Sequence, residues 1–384
     1  MGATIRAGVT QQNSALFWKV QFSAGDPLAF LEVPGGEGKV RTVCIVRDVE
    51  LDRAREKVRA DEVCVPADYE PESGFSADRE VGMAQAAAEC LRRHGVSTVT
   101  ADRTLPLSFA TVLGEAGIKV VCDLEMGVME RRRKSAWEIE KLRYSQEVTE
   151  GAIRLACEMI ARAEADREGV LRQEGDELTS ARVRAAVNLF LMERGFSGPS
   201  WIIAGGAQGA SCHHTGEGAL RTGEPVIVDI FPTDQGSHYC GDCTRTVVHG
   251  DVPEELVAMH AAVCEAKAAG TAAIRAGVTG KAVHAATTEV IRARGFGVVT
   301  PEENKAGMGA AMTHGTGHGI GLDVHEPPLL APDGVELVAG DVLTVEPGLY
   351  RVGFGGVRVE DLVVVTEDGC ENLNRLPEGM DWSG

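Results

Sequence analysis

Apolar and polar residues alternate in short runs through about the first 130 residues, as in ALFWKV, AFLEV, VRTVCIV, TVTADR and KVVCDL. Helical stretches such as VGMAQAAAECLRRHG separate them. Period-two alternation marks a half-buried strand, and strands interleaved with helices predict a small α/β domain. The pattern then changes. A basic knot, ERRRKS, leads into AWEIEKLRYSQEVTEGAIRLACEMIARAEA, where Ile139, Leu142, Ile153 and Met159 recur on one helical stripe. Ser135 and Glu138 have the spacing of a capping box for that helix. The domain break is placed here, giving domains 1–132 and 133–384.

The second domain repeats one pattern twice. Helices over 136–165 and 177–194 precede a β-rich segment ending in VIVDIFPTDQGSHYCGDCTRTVV. Helices over 253–275 and 280–294 precede another, ending in DVLTVEPGLYRVGFGGVRVEDLVVV. Two helices followed by a hairpin, repeated, is a duplication of architecture. It predicts an α+β class, with helices covering one face of an antiparallel sheet.

One strand in this pattern carries residues that do not suit a core. GGVRVEDLVVV, residues 355–365, alternates valine and leucine but holds Arg358, Glu360 and Asp361 in its middle. A buried carboxylate without a partner is so costly that it usually takes up a proton, so something must face Glu360. Gly353, Gly355 and Gly356 mark the turn, and folding symmetrically about Gly353 places Glu346 opposite Glu360. In the first hairpin the turn is PTDQGS, and Asp229 and Asp242 lie at equal distances from its centre. Each hairpin thus aims two acids at one spot among Val, Ile and Thr. Opposed like charges are destabilising in a sheet, so two such pairs make sense around cations. The competing reading is that these acids are exposed or paired with Arg245 and Arg358.

Between the hairpins lies THGTGHGIGLDVHEPP, with His314, His318 and His325 among the chain's ten histidines. Four carboxylates and one neutral imidazole balance two divalent cations and leave a bridging hydroxide to act. Two metals about 3.5–4 Å apart are a recognised hydrolytic device. The oxygen-rich set favours manganese, with cobalt or zinc possible. Cys240 and Cys243 form a CxxC around Asp242, but strand alternation turns the two thiols to opposite faces, against a redox or zinc motif.

Composition narrows the field further. A chain of 384 residues is long for one core, and a net charge of -19 argues against nucleic acid or an anionic membrane as partner. No stretch approaches a membrane span, the first residues lack a signal-peptide core, and ten scattered cysteines suit a reducing cytoplasm.

Asp229, Asp242 in GDCTRT, His318 in GTGHGIGLDVHEPP, Glu346 in TVEPGLY and Glu360 in GGVRVED resemble, in order and context, the five ligands of the pita-bread metallopeptidases. The leading α/β domain, RRRKSAWEIEKLR and GLDVHEPP resemble the creatinase/prolidase/aminopeptidase P branch. The resemblance implies a pita-bread catalytic domain behind a smaller N-terminal creatinase-like α/β domain. It also implies a homodimer that releases an N-terminal residue from short proline-containing peptides, and the cysteine usage places it in the cytoplasm. By the same resemblance Asp229 holds one metal, Asp242 and Glu360 bridge two, His318 completes one, and Glu346 is ligand and proton shuttle. His325 and His314 match substrate-side histidines, Arg358 is assigned to substrate binding, and His213, rather than its neighbour His214, matches the upstream active-site histidine. The chain departs from the family at the first ligand, which sits in DIFP where Asp-x-Gly is usual, and in a turn two residues longer. That puts the site wall near Phe231 in question. The rival readings are a non-metal creatinase-like amidinohydrolase and a non-catalytic binding protein on the same fold.

Overall fold

The computed structural model describes residues 2–384, the side chain of Glu37 excepted. The chain divides into two compact units, Met1–Arg131 and Arg132–Gly384. The first is built on a six-stranded mixed sheet of β1 (Ala3–Gly8), β2 (Leu28–Pro34), β3 (Val40–Ile45), β4 (Glu62–Cys64), β5 (Thr98–Ala101) and β6 (Lys119–Cys122). Their order across the sheet is β4-β3-β2-β1-β5-β6. Alternation along β2 sends Ala29, Leu31 and Val33 to one face, against Met83, Ala87 and Leu91 of helix α1 (Arg79–Arg93). Leu28 and Phe30 go to the other face, against Leu16, Val20 and Phe22.

One expected strand is a helix. ALFWKV lies within Ser14–Val20, whose first turn is capped by the Asn13 side chain accepting from the Leu16 amide at 2.8 Å. Leu16 and Val20 are four apart and both buried, so a helical stripe accounts for the burial that alternation was taken to explain. The strand in this region is β1, which precedes it.

In the second unit, helix α2 (Ala136–Ala161) begins at the Ser135–Glu138 capping box, with Ser135 N donating to Glu138 Oε2 at 2.7 Å. Helices α3 (Ser180–Met192), α4 (Glu254–Ala273) and α5 (Gly280–Ala293) follow. Side chains of Thr179 and Thr279 cap α3 and α5. Strands β7 (Ile202–Gly205), β8 (Pro225–Ile230) and β9 (Cys243–Val248) form an antiparallel three-stranded sheet. A five-stranded antiparallel sheet contains β10 (Gly317–Gly319), β11 (Glu326–Leu330), β12 (Val342–Val345), β15 (Asp361–Val365) and β16 (Cys370–Asn372), ordered β11-β10-β12-β15-β16. Between β12 and β15 in sequence, β13 (Gly348–Arg351) and β14 (Gly355–Arg358) pair as a hairpin in a separate four-stranded sheet.

The long second ribbon therefore starts in one sheet and finishes in another. Its register is the one expected from folding about Gly353: Gly348 faces Arg358 on one side of the break, and Val345 faces Asp361 on the other. Only residues 346–347 and 359–360 escape the ladder. Pro347 has no N–H to give it, and the amides of Glu346 and Glu360 bond elsewhere, to Thr316 O at 2.8 Å and Thr244 O at 3.1 Å. The two acids sit in this gap. Among the described residues no helix is long and apolar enough to cross a membrane.

Candidate metal centre

The first hairpin does not pair as symmetry about its PTDQGS turn predicts. Asp229 faces Thr244, not Asp242, so the ladder is centred one residue later than expected. Asp234 is the reason. Its carboxylate accepts from the amides of Gly236 at 3.0 Å and Ser237 at 3.2 Å, its carbonyl accepts from His238 N at 2.8 Å, and His238 takes the left-handed φ of 64° that closes the turn. Asp242, two residues before the partner of Asp229, keeps the same face, because strand side chains alternate with period two. Helix α2 also holds Asp242 directly: Gln146 Oε1 accepts from its amide at 2.9 Å and Gln146 Nε2 donates to its carbonyl at 2.7 Å.

Threonines of β9 stitch the first hairpin to the second ribbon. Thr246 Oγ1 donates to Arg358 O at 3.1 Å, and Thr244 Oγ1 donates to Glu360 Oε2 at 2.8 Å. Strand β10 arrives from the other side, with His318 N donating to Thr344 Oγ1 at 3.0 Å. A Cβ on Gly317 would lie 2.0 Å from Thr344 O, so only glycine lets β10 approach this closely.

These packings bring the acids and one imidazole together. Ligand atoms of Asp242, His318 and Glu360 lie within 4.8 Å of one another. His318 Nε2 is 3.7 Å from Asp242 Oδ2 and 3.6 Å from Glu346 Oε1. Asp229 lines the same cavity of about 310 Å³ as these four. His318 Nδ1 meets Gly319 O at 3.1 Å; a carbonyl can only accept, so the proton is on Nδ1 and the Nε2 lone pair faces the carboxylates. Burial keeps this imidazole below its ordinary pKa, hence neutral.

The charge balance without a ligand is poor. Burial, and then the charges of Glu360, Asp229 and Glu346, raise the Asp242 carboxyl well above its usual range. Burial followed by Glu346 and Asp229 does the same to Glu360, and burial also raises Glu346. Among the described residues no donor reaches the Asp242 carboxylate, and Asp229 Oδ1 is buried with no hydrogen-bond partner. Arg358 is the guanidinium that offsets the acids, 2.5 Å from Asp229 Oδ2. Arg245 is committed to Asp361 at 2.9 Å. Orphaned buried oxygens, a correctly protonated imidazole and surplus carboxylates fit divalent cations.

His213, His314 and His325 line the same cavity with Phe231, Ile202, Val324 and Leu329. His214 does not; its Nδ1 accepts from Gly216 N at 3.0 Å within its own turn. Arg358 also lines the cavity but is buried, and its donors go to Asp229, Thr244 and Tyr350. Its bonds favour holding Asp229 in place over direct contact with a substrate. Tyr350, which the sequence reading passed over, joins Arg358 to His314 Nε2 at 2.7 Å. Its place two residues beyond Gly348 on β13 and four beyond Glu346 in the chain was a usable signal; Gln146, Thr244 and Thr344 had none short of the tertiary contact. Cys240 and Cys243 pack in separate apolar clusters, with burial raising Cys240 to about 12.

Residues 140–367 match the model of metallopeptidase family M24. The chain is similar to the probable dipeptidase PepE of Mycobacterium tuberculosis, 37% identical over 53% of this chain and 51% of that protein, so the match spans about half the length of that relative. It is 28% identical to a Xaa-Pro dipeptidase of Pyrococcus horikoshii over 73% of this chain and 74% of that one. Among solved structures, an X-Pro aminopeptidase from Thermotoga maritima superposes with a TM-score of 0.79 at 24% identity, covering 99% of this chain and 97% of that one, which establishes the shared pita-bread fold.

Proposed function

The chain belongs to metallopeptidase family M24, and from that premise we propose that it is a dinuclear metal-dependent exopeptidase cleaving the bond before proline at the N-terminus of dipeptides or short peptides. The observation carrying this reading is the convergence of four carboxylates and a neutral imidazole on one cavity with a single guanidinium to offset them. Asp229, Asp242, His318, Glu346 and Glu360 would hold two divalent ions, manganese first by the oxygen-rich donor set, then cobalt or zinc. Bound there, such ions supply the Lewis acidity that polarises a carbonyl and acidifies water near neutral pH.

The chain's own residues then do the rest. Glu346, less enclosed than Asp242 and Glu360 and with its pKa raised by burial, takes the proton of the attacking water and gives it to the proline nitrogen, which must be protonated to leave. His325 and His213, exposed at the cavity, would donate hydrogen bonds to the carbonyl oxygen as charge develops on it. His314, held by Gly315 O and Tyr350, lines the same cavity and would be a further substrate-side histidine. Phe231, Ile202, Val324 and Leu329 supply an apolar wall for the substrate side chains. All ten cysteines are free, which suits the cytoplasmic part of the proposal. The homodimer rests on the family resemblance.

A panel of Xaa-Pro dipeptides, Xaa-Pro-Yaa tripeptides and non-proline controls tests this, assayed after chelation and again after manganese, cobalt or zinc is returned. Metal-restored release from the proline peptides is expected. Release from none of them removes the reading, and metal-independent turnover of creatine would put the amidinohydrolase in its place.

A further inference from the structure

His325 is exposed, and among the described residues its ring forms no hydrogen bond. Its ring contact is His318, with centroids 4.3 Å apart. Its placement therefore comes through its backbone. The next residue, Glu326, opens β11 and is the register partner of Gly319, the residue after His318. Whatever holds Glu326 thus closes the loop that carries His325 back over His318.

Glu326 is held by Lys134. Lys134 Nζ donates to Glu326 Oε1 at 2.7 Å, with side chains only 2% and 3% exposed. A Cβ on Gly321 would lie 2.4 Å from Glu326 Oε1 and 3.2 Å from Lys134 Cε, so the ion pair packs directly against that glycine. Lys134 is anchored in turn. Its amide donates to Gly340 O at 3.3 Å, and Arg132 makes a two-point bond to Asp341, Nε to Oδ1 at 2.9 Å and Nη2 to Oδ2 at 2.7 Å. A buried ion pair is weak evidence for stability, since apolar groups of the same volume often serve as well, so this one calls for another role.

We propose that Lys134 is a positioning residue for His325, acting through Glu326. The basic knot ERRRKS, which the catalytic set leaves without a task, then fixes where the exposed histidine stands over the cluster. The proposal rests on the peptidase reading only for what His325 does once it is placed.

The test uses the full chain loaded with zinc, which is diamagnetic and leaves the ring signals visible, with K134M and K134M/E326Q, the second removing both charges so that no buried carboxylate is stranded. Two measurements are made: peptide hydrolysis in wild-type and H325A backgrounds, and the His325 ring signal in ¹H–¹³C spectra, assigned with H325N. Both variants are expected to lower kcat by about 10–100-fold, the cost of a small misplacement of a catalytic group, while KM changes little. In the H325A background the same changes should cost less than about threefold, because the two sites act as one unit. The ring signal should shift or broaden, while that of His249, tied to Thr222 Oγ1 and Ala163 O, stays put. Equal losses in both backgrounds, or an unmoved His325 signal in folded variants, overturn the proposal. A moved signal in a protein that hydrolyses no Xaa-Pro peptide would leave the anchoring standing and remove the peptidase reading.

Discussion

Asp242 is the residue at which the cost of the site is plainest. Its carboxyl is buried, no donor reaches it among the described residues, and three other acids line the cavity beside it. A charge in that position opposes folding until a cation arrives. D242N keeps the shape and removes the charge, so two opposite effects are expected. Metal-restored hydrolysis should fall by more than the roughly 10–100-fold that disturbing a ligand's outer partner costs. The chelated protein should melt higher than chelated wild type by about 2–4 °C, the shift that about 1 kcal/mol produces in a domain of this size. Thermal scans of both proteins in chelator check it; a lower melting temperature for D242N would mean that Asp242 makes a folding contact absent from this structure. Asp229 differs from Asp242 at this scale. Its Oδ2 is paired with Arg358, so D229N should gain less in the metal-free scan.

Elements decide how closely those residues meet. Strand β10 can press against β12 only because position 317 has no Cβ, Thr344 O standing 2.0 Å from where one would be. G317A must push the two backbones apart at the residue next to His318. Overpacking of this kind typically costs about 1–3 kcal/mol, and urea unfolding of the metal-loaded protein should show a loss in that range together with weaker metal retention. Unchanged stability and metal content in G317A would mean that β10 tolerates a wider spacing. The same scale explains where reading by pattern succeeded and failed. The capping box of α2 and the fold about Gly353 are local rules, and the structure obeys both. ALFWKV failed because six residues with buried positions four apart satisfy either period, and the Asn13 cap settles the choice. The first hairpin slipped because the turn is organised by the Asp234 side chain, which backbone symmetry does not include.

For the whole molecule the acids couple stability to pH and to metal. In the metal-free state Asp242, Glu346 and Glu360 have folded pKa values raised above their unfolded ones, chiefly by burial. Their contribution to stability is fully present below about pH 4, the unfolded carboxyl range, and is lost as pH rises through the folded values. Cations held as proposed would bind the deprotonated acids and the neutral His318, so binding would strengthen over the same interval. The gap between metal-loaded and chelated melting temperatures should therefore widen steadily from pH 5 to pH 8. Scans at fixed metal concentration across that range measure it, and a flat or narrowing gap would count against a cluster of buried, mutually repelling ligands.

By itself the chain determined which residues were candidates and which way they would face. Period-two alternation keeps Asp229 and Asp242 on one side of the hairpin as long as the turn changes by an even number of residues, and the observed shift from Asp242 to Thr244 as the partner of Asp229 is two. The glycines around His318 leave room for a close approach, and at Gly317 the structure gives that room to the Thr344 carbonyl. Only the tertiary structure decided the partners: Thr244 opposite Asp229, Gln146 on Asp242, Tyr350 between Arg358 and His314, and Lys134 against Glu326. Local periodicity is imposed by the backbone within a few residues. Contacts such as these join positions far apart in sequence, and nothing short of packing the intervening helices and sheets can choose among the residues able to make them.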